Sequence, residues 1–559
     1  MGDDATNRLG REQGMTERQR FLITQSMALM DGAYDEQARL IRSYEEPERQ
    51  DTRGSAHYAL GLLLRDEGQD RERACAVIGR VLDLQFDYPG EIYHGTFRTS
   101  PQAPHPPVGG YPWQRFAPGT AYYLDRTLEA IAGKLAAAEA ADPRKMKRLF
   151  KSAVSEVLPP VWDSYDPNWR EFIASAFAVI LSLFEEKLPP DLVRRMDESM
   201  ARAVQGSIDR RLSDAVPMNT NIELMHIFIT HCYGYRLGET GWISHAYAQA
   251  ESFLERHREF GTFAEFNTTT YYGVDLTVLG LWRRFGRSDR LLQIGRELER
   301  GLWENMALYY NANLENLCGP YARAYDMEMQ EHSSIGVFVY LLLGEGYEHL
   351  TRVNCETCHD VMIALVGVDA PSEVIPYFVS HQGDRMVRKR FVELCERDDP
   401  QANTNLCTAK AWIGADRMIG AMSGSRNTNG QLHPATMHWR DERGGRYTMR
   451  LLRREAGEGW NAHLRGIAFE VDATPDSLEI DVRLEADVPI DVFFEIRGPA
   501  LQEAVIEPTR WRLPGLDCRV EADAPKPDVA LSEGVAEVSY RYSPSAADGA
   551  TMKFTLRFD

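Results

Sequence analysis

Apolar residues recur at helical spacing, in paired stretches, from about residue 15 to about residue 350, and strand-like runs are almost absent there. A pattern sustained over so many segments excludes a βαβ protein, which must interleave strands with its helices. The spacing predicts helices over Arg18–Leu29, Ala56–Arg65, Ala74–Leu84, Thr120–Ala138, Lys145–Val157 and Trp169–Glu186. It predicts others over Leu192–Ile208, Ile222–Leu237, Trp242–His257, Val274–Phe285, Asp289–Tyr309 and Ile335–Gly344. Polar turns such as Asp66–Arg71 separate neighbours, and Pro101, Pro104, Pro106, Pro107 and Pro112 interrupt the series. No sequence repeat of about 34 or 40 residues is present, which argues against a simple solenoid. Helices arriving in pairs suit an α/α toroid of about six pairs, with inner helices lining a cleft and outer helices covering them.

The pattern changes after about residue 370. Arg446–Arg453, Gly466–Val471, Leu478–Leu484, Ile490–Ile496, Val535–Tyr542 and Met552–Phe558 are short runs rich in β-branched and aromatic residues. Ile480, Val482 and Leu484 alternate with Asp481 and Arg483, the signature of a half-buried strand. An antiparallel β-sandwich is expected here. The expected division is a flexible N-terminus over 1–14, a toroid over 15–370 and a sandwich over 371–559. The stretch 350–400 carries mixed signals and is not assigned.

The chain has 559 residues, with 63 Lys plus Arg against 83 Asp plus Glu, a net charge of −20. That balance excludes a basic nucleic-acid footprint and opposes anionic membranes. The first twenty residues hold no apolar signal core, and no run approaches a membrane span of about 18 residues. A cytoplasmic location is expected, with no nucleic-acid or membrane partner. The eight cysteines are scattered, as reduced thiols would be.

Three polar segments stand out. Gly261–Leu276, GTFAEFNTTTYYGVDL, crowds Glu265, Asn267, Tyr271, Tyr272 and Asp275 between two helices. Its bland reading is a Thr cap with aromatic packing. Tyr309–Met329 holds Asn311, Asn313 and Asn316, then Gly319-Pro320, then Tyr321, Arg323, Tyr325, Asp326 and Glu328. Gly-Pro stops a helix, and the arginine fork suits a carboxylate, whether a ligand's or a neighbour's. Pro217–His231 places Asn219 and Asn221 at a helix start and His226 among apolar residues, where a histidine is more often core than catalytic. His94 in YHGTF, and Asp166 with Trp169 in WDSYDPNWREF, are weaker candidates for sugar stacking and binding.

Cys355-Glu-Thr-Cys358-His359 matches a haem-attachment spacing. Without a visible export signal or a second cysteine pair, it reads as chance or a structural thiol pair. No phosphate-binding loop, zinc-protease or serine-hydrolase motif is present.

The order of these segments, with GQLHPATMHWR (Gly430–Arg440) near the sandwich start, resembles the heparinase II/III-like and alginate-lyase-like carbohydrate-active enzymes. The resemblance implies an α/α toroid followed by a β-sandwich, and a site using Asn, His and Tyr with a helping Arg. Asn221, His226, Tyr271 or Tyr272, Arg323 and Tyr325 follow in that order. The implied reaction is β-elimination from a uronic acid. Asn221 or Arg323 neutralises the carboxylate, His226 or a tyrosinate removes the C5 proton, and a tyrosine protonates the leaving oxygen.

The expected catalytic residues are thus His226, Tyr271, Tyr272, Tyr325 and Glu265. Asn221, Asn267, Arg323, Tyr321, Asp326, His94 and Trp169 are expected to bind substrate. The rival is an inverting glycoside hydrolase using Glu265 with Asp275 or Asp326, two carboxyls about 6.5–9.5 Å apart. More distant readings are a small-molecule dehydratase or isomerase and a non-catalytic carbohydrate-binding scaffold. The expected partner is an oligosaccharide or other small molecule, and a homo-oligomer is compatible. No cofactor is required and no metal ligand is assigned; a structural divalent cation stays open.

Overall fold

A computed structural model describes residues 14–91, 93–106, 120–136, 165–213, 219–393, 405–427, 429–462, 466–486, 488–544 and 550–559, with isolated positions between. Thirteen α-helices occur among the described residues. They are α1 (Glu17–Ala33), α2 (Thr52–Arg65), α3 (Asp70–Asp83), α4 (Thr120–Ala136), α5 (Trp169–Leu183), α6 (Pro190–Ser213) and α7 (Thr220–Leu237). The series continues with α8 (Thr240–Phe260), α9 (Tyr272–Phe285), α10 (Asp289–Tyr309), α11 (Ile335–Leu343), α12 (Asp360–Val366) and α13 (Ile375–Val379). The expected helix over Lys145–Val157 and the expected flexible N-terminus lie almost wholly outside the described residues.

Burial separates two classes of helix. In α2, α5, α7, α9 and α12 nearly every residue over long stretches is buried, as in Ile222–Gly234 of α7 and Tyr272–Trp282 of α9. A helix apolar all round belongs inside. In α3, α8 and α10 one face is buried and the other is polar, so these cover the inner set. Inner and outer helices alternate along the chain, α2 with α3, α5 with α6, α7 with α8 and α9 with α10. This is the α/α toroid that the helical spacing predicts. Turns are short because glycine accepts left-handed backbone: Gly238 (φ 75°) ends α7 and Gly261 (φ 63°) ends α8.

The helices run to Val379, past the expected boundary at 370, and the first long strand is β6 (Arg385–Glu393). Before it, among the described residues, come only two-to-three-residue pieces, β1 (Tyr34–Asp35), β2 (Leu40–Arg42), β3 (Gln50–Asp51), β4 (Tyr310–Asn311) and β5 (Asn316–Leu317). The sandwich adds β7 (Asn405–Ile413), β8 (Arg417–Ser423), β9 (Ala435–Arg440), β10 (Arg446–Glu455), β11 (Ile467–Thr474), β12 (Ser477–Leu484) and β13 (Ile490–Arg497). It closes with β14 (Val505–Glu507), β15 (Arg510–Leu513), β16 (Leu516–Asp523), β17 (Asp528–Ser532), β18 (Val535–Tyr542) and β19 (Ala550–Phe558). One antiparallel sheet has the order β17-β18-β13-β10-β9-β8-β7-β6, the other β11-β12-β19-β16-β15-β14. Phe494 of the first sheet meets Trp511 and Phe554 of the second at ring-centroid distances of 5.2 and 5.5 Å.

The two parts are stitched by polar and aromatic contacts. Arg385 donates to the Tyr310 carbonyl at 2.6 Å, Asn311 donates to the Gly414 carbonyl at 2.6 Å, and Phe266 stacks on Phe391 at 4.5 Å. No helix among the described residues is long and apolar enough to cross a membrane. The seven described cysteines are free thiols.

His231 of α7 is fully buried and its Nε2 accepts the Arg287 amide at 3.0 Å, pinning the α9–α10 turn to the inner ring. Burial, with Arg287 nearby, draws its pKa down from 6.5 to about 4. The unfolded chain therefore takes up a proton between those values that the folded chain refuses, and stability falls as pH drops from about 6.5 to about 4. Replacement by Gln is expected to flatten that part of the pH–stability curve, measured by urea unfolding at several pH values. An unchanged slope would remove His231 as the cause.

Candidate active site

Because one outer helix runs back between successive inner helices, the inner helices run in one direction and their first turns gather at one end of the ring. Asp51 and Arg53 stand at the start of α2, Asn168 and Trp169 at α5, Asn219 and Asn221 at α7, and Tyr271 at α9. Unpaired amides and the helix dipoles make such an end electropositive.

The segment 319–329 crosses this end, held by the sandwich. Tyr321 and His433 exchange backbone hydrogen bonds at 3.2 and 2.9 Å, the Ala324 amide donates to the Gln431 carbonyl at 2.9 Å, and Arg450 donates to the Tyr325 carbonyl at 3.0 Å. Arg323 is thereby set on the ring of Tyr271, its guanidinium carbon 4.3 Å from the centroid. Its Nη1 donates to Glu265 and its Nε to Gln431 Oε1 at 2.9 Å, while Nη2 has no partner among the described residues. Glu265 also accepts the Asn221 amide at 3.2 Å, and Asn221 Oδ1 is buried without a partner. Tyr325 lies 6.0 Å from Tyr271, ring to ring, and its amide donates to Thr270 Oγ1 at 3.0 Å.

The charges follow from this packing. Burial opposes the Arg323 cation, but Tyr271, Glu265 and Tyr325 outweigh it and hold the guanidinium charged. Burial raises the Tyr271 pKa well above 10 despite the arginine on its ring, so its hydroxyl keeps its proton near neutrality. Burial also raises Asp166, against the Asn168 amide and the cations of Arg53, Arg210 and Arg323.

A cavity of about 650 Å³ opens beside this group, walled by Arg42, Glu45, Asp51, Arg53, Trp169 and Cys355 among others. Two links join it to the Arg323 group. Arg53 of the wall and Arg323 both act on Asp166, and His332, in hydrogen-bond contact with Cys355 of the wall, lies 5.7 Å from the Tyr325 ring.

The structure brings Tyr271, Tyr325, Arg323, Glu265 and Asn221 together, and it places Trp169 in the cavity wall. It does not bring the other expected residues there. His226 is fully buried and faces the outer layer, with Ser207 Oγ at 2.8 Å from its Nδ1 and His245 Nε2 at 2.9 Å from its Nε2. Tyr272 is fully buried, its hydroxyl accepting the Asn267 amide at 2.6 Å. Asn267, also fully buried, clamps the Cys318 and Pro320 carbonyls through its side-chain amide. Tyr321 donates to the Leu317 carbonyl at 2.6 Å inside the core. Asp326 pairs with Arg497 of the sandwich at 3.0 Å. His94 accepts the Tyr88 amide at 3.0 Å, away from the Arg323 group. The expectation that His226, Tyr272 and Arg323 share one hollow therefore fails for the first two, whose side chains the ring turns into packed layers.

The hydrolase pairing fares no better. Asp275 is fully buried with both carboxylate oxygens unpartnered, and burial, aided by Glu265, raises its pKa well above 3.8. Glu265 is held by Arg323 and Asp326 by Arg497. Arg53, Arg210 and His332 carry no signal in the sequence because each lies far along the chain from the segments it joins; Gln431 stands in the GQLHPATMHWR motif, which by itself gives it no role.

His226 ties α6, α7 and α8 together, so its replacement by Ala removes a partner from buried Ser207, which keeps Glu171, and the contact that holds half-buried His245. The expected cost is about 1–3 kcal/mol, read as a lower midpoint in chemical denaturation. An unshifted midpoint would show that this network is not holding the layers.

No curated protein matches the chain. Solved structures similar to it include heparinase III, at 9% identity and a TM-score of 0.35, covering 89% of this chain and 92% of that one. The Streptomyces coelicolor A3 chondroitin AC lyase in complex with chondroitin sulphate shares 10% identity at a TM-score of 0.43, covering 98% and 80%. A mutant heparan sulfate lyase HepC from Pedobacter heparinus shares 10% at 0.28, covering 89% and 90%. The family described as a domain of unknown function, DUF8769, matches residues 20–118 and 150–368, more than half of the sequence. The chain belongs to that family.

Proposed function

We propose that this protein is an enzyme, a lyase that cleaves a uronic-acid-containing oligosaccharide by β-elimination. The observation that carries the reading is the stack of Arg323 on Tyr271, with Tyr325 6.0 Å away and linked through His332 to Cys355 in the wall of the 650 Å³ cavity. An arginine with a donor to spare binds a carboxylate and favours the negative charge that develops on it when the neighbouring C–H is broken. Asn221, with an unpartnered amide oxygen, stands on the same cluster.

In this reading Tyr325 is the base that takes the C5 proton. The electron pair moves into the C4–C5 bond, the C4–O bond breaks, and Tyr271 gives its proton to the departing oxygen. Tyr271 suits the acid role because burial keeps it protonated. The elimination reading is better supported than hydrolysis, since Glu265 is committed to Arg323 and Asp275 is sealed in the core.

The test is a panel of uronate oligosaccharides followed in the ultraviolet, where the new C=C conjugated to the carboxylate absorbs. Tyr271→Phe and Tyr325→Phe are each expected to lower turnover by more than about tenfold. Arg323→Lys, which keeps the charge but loses the fork, is expected to raise KM as well. Cleavage without a chromophore would favour hydrolysis. Binding without turnover would leave a carbohydrate-binding scaffold, and near-normal rates in both tyrosine variants would remove this assignment.

A further inference from the structure

Three chain segments, one of them far in sequence from the other two, converge at the cavity wall near its link to Tyr325. Glu45 comes from the loop between β2 and β3, His332 from the stretch before α11, and Cys355 from the turn before α12. Cys355 Sγ lies 3.1 Å from His332 Nδ1, and Glu45 Oε1 lies 3.6 Å from the same nitrogen. The three donor atoms all lie within 4.8 Å of one another. Around a tetrahedral zinc ion, with bonds of about 2.3 Å to sulfur and about 2.0–2.2 Å to nitrogen and oxygen, neighbouring donors stand about 3.3–3.6 Å apart. The 3.6 Å nitrogen–oxygen separation falls in that range, and the 3.1 Å sulfur–nitrogen separation lies just below it.

We propose that Glu45, His332 and Cys355 form a binding site for a divalent cation of the zinc class, with a fourth position left for water or a ligand oxygen. The donor set is the argument for the metal. One sulfur, one imidazole nitrogen and one carboxylate oxygen suit zinc and cobalt(II) and are poor for magnesium or calcium, which take oxygen. Glu45 and Cys355 both line the cavity, so an ion there is reachable from it. The first cysteine of the Cys355–Cys358 pair thus finds its partners in space, where the sequence offers no second cysteine pair. The site stands independently of the elimination reading.

Cobalt(II) added to the full-length, metal-free protein tests it. One equivalent is expected to give a sulfur-to-cobalt charge-transfer band in the near ultraviolet and the strong visible bands of tetrahedral coordination. Cys355→Ser is expected to abolish the charge-transfer band, whereas Cys358→Ser keeps it. His332→Ala and Glu45→Gln are each expected to weaken cobalt(II) affinity by at least about tenfold. X-ray absorption of the zinc-loaded wild-type protein supplies a readout that needs no variant, with one sulfur and two or three nitrogen or oxygen neighbours expected. No sulfur in that shell, a band that survives Cys355→Ser, or wild-type affinity in both other variants would overturn the site.

Discussion

The buried contact of Arg323 with Glu265 and Tyr271 is the constraint on which the rest of the site depends. Glu265 is 2% exposed and sits in the loop entering α9, while Arg323 comes from the segment that the sandwich holds. A charge removed from water must be compensated, and breaking such a pair by deleting one partner costs about 3–5 kcal/mol. The pair therefore fixes the distance between the toroid and segment 319–329. It also decides that the arginine's flat face lies on Tyr271, with one nitrogen uncommitted.

The sandwich has a structural task in this arrangement. Arg450, Gln431 and His433, all on or beside its long sheet, hold the backbone of Tyr321, Ala324 and Tyr325. Arg450 in turn is fixed by Glu495 at 2.7 Å and lies over Trp460. The C-terminal domain thus positions the tyrosine and arginine that the toroid end receives. A net charge of −20 is compatible with a cation-rich cleft, because the cations of Arg53, Arg210 and Arg323 converge on Asp166 while the acidic excess is spread over the chain.

The placement of His226 illustrates a limit of pattern reading. It shares a helix with Asn221, and chain order alone suggests a common cleft. Five residues along a helix turn a side chain by roughly 140°, which carries His226 away from the end where Asn221 stands and toward Ser207 and His245. Tyr271 and Tyr272 are separated the same way: one step along the chain sends the first against Arg323 and the second into the core beside Asn267.

Periodicity alone determined the two-part architecture, since apolar spacing of 3.6 or 2 reflects the burial of one face and needs no knowledge of partners. It located the inner helices α2, α5, α7 and α9 and the strands β10 to β13, β18 and β19 to within a few residues. It passed over α12, only seven residues long and apolar after Asp360, and β6, where consecutive Arg388, Lys389 and Arg390 break the apolar alternation at the junction with the toroid. It also marked the polar segments holding Glu265, Tyr271, Arg323 and Tyr325. Only the tertiary structure decided which of these polar groups meet, because helix rotation and the docking of the sandwich set side-chain direction. The gathering of Glu45, His332 and Cys355 has the same origin: Glu45 lies hundreds of residues before the other two and meets them when the ring closes.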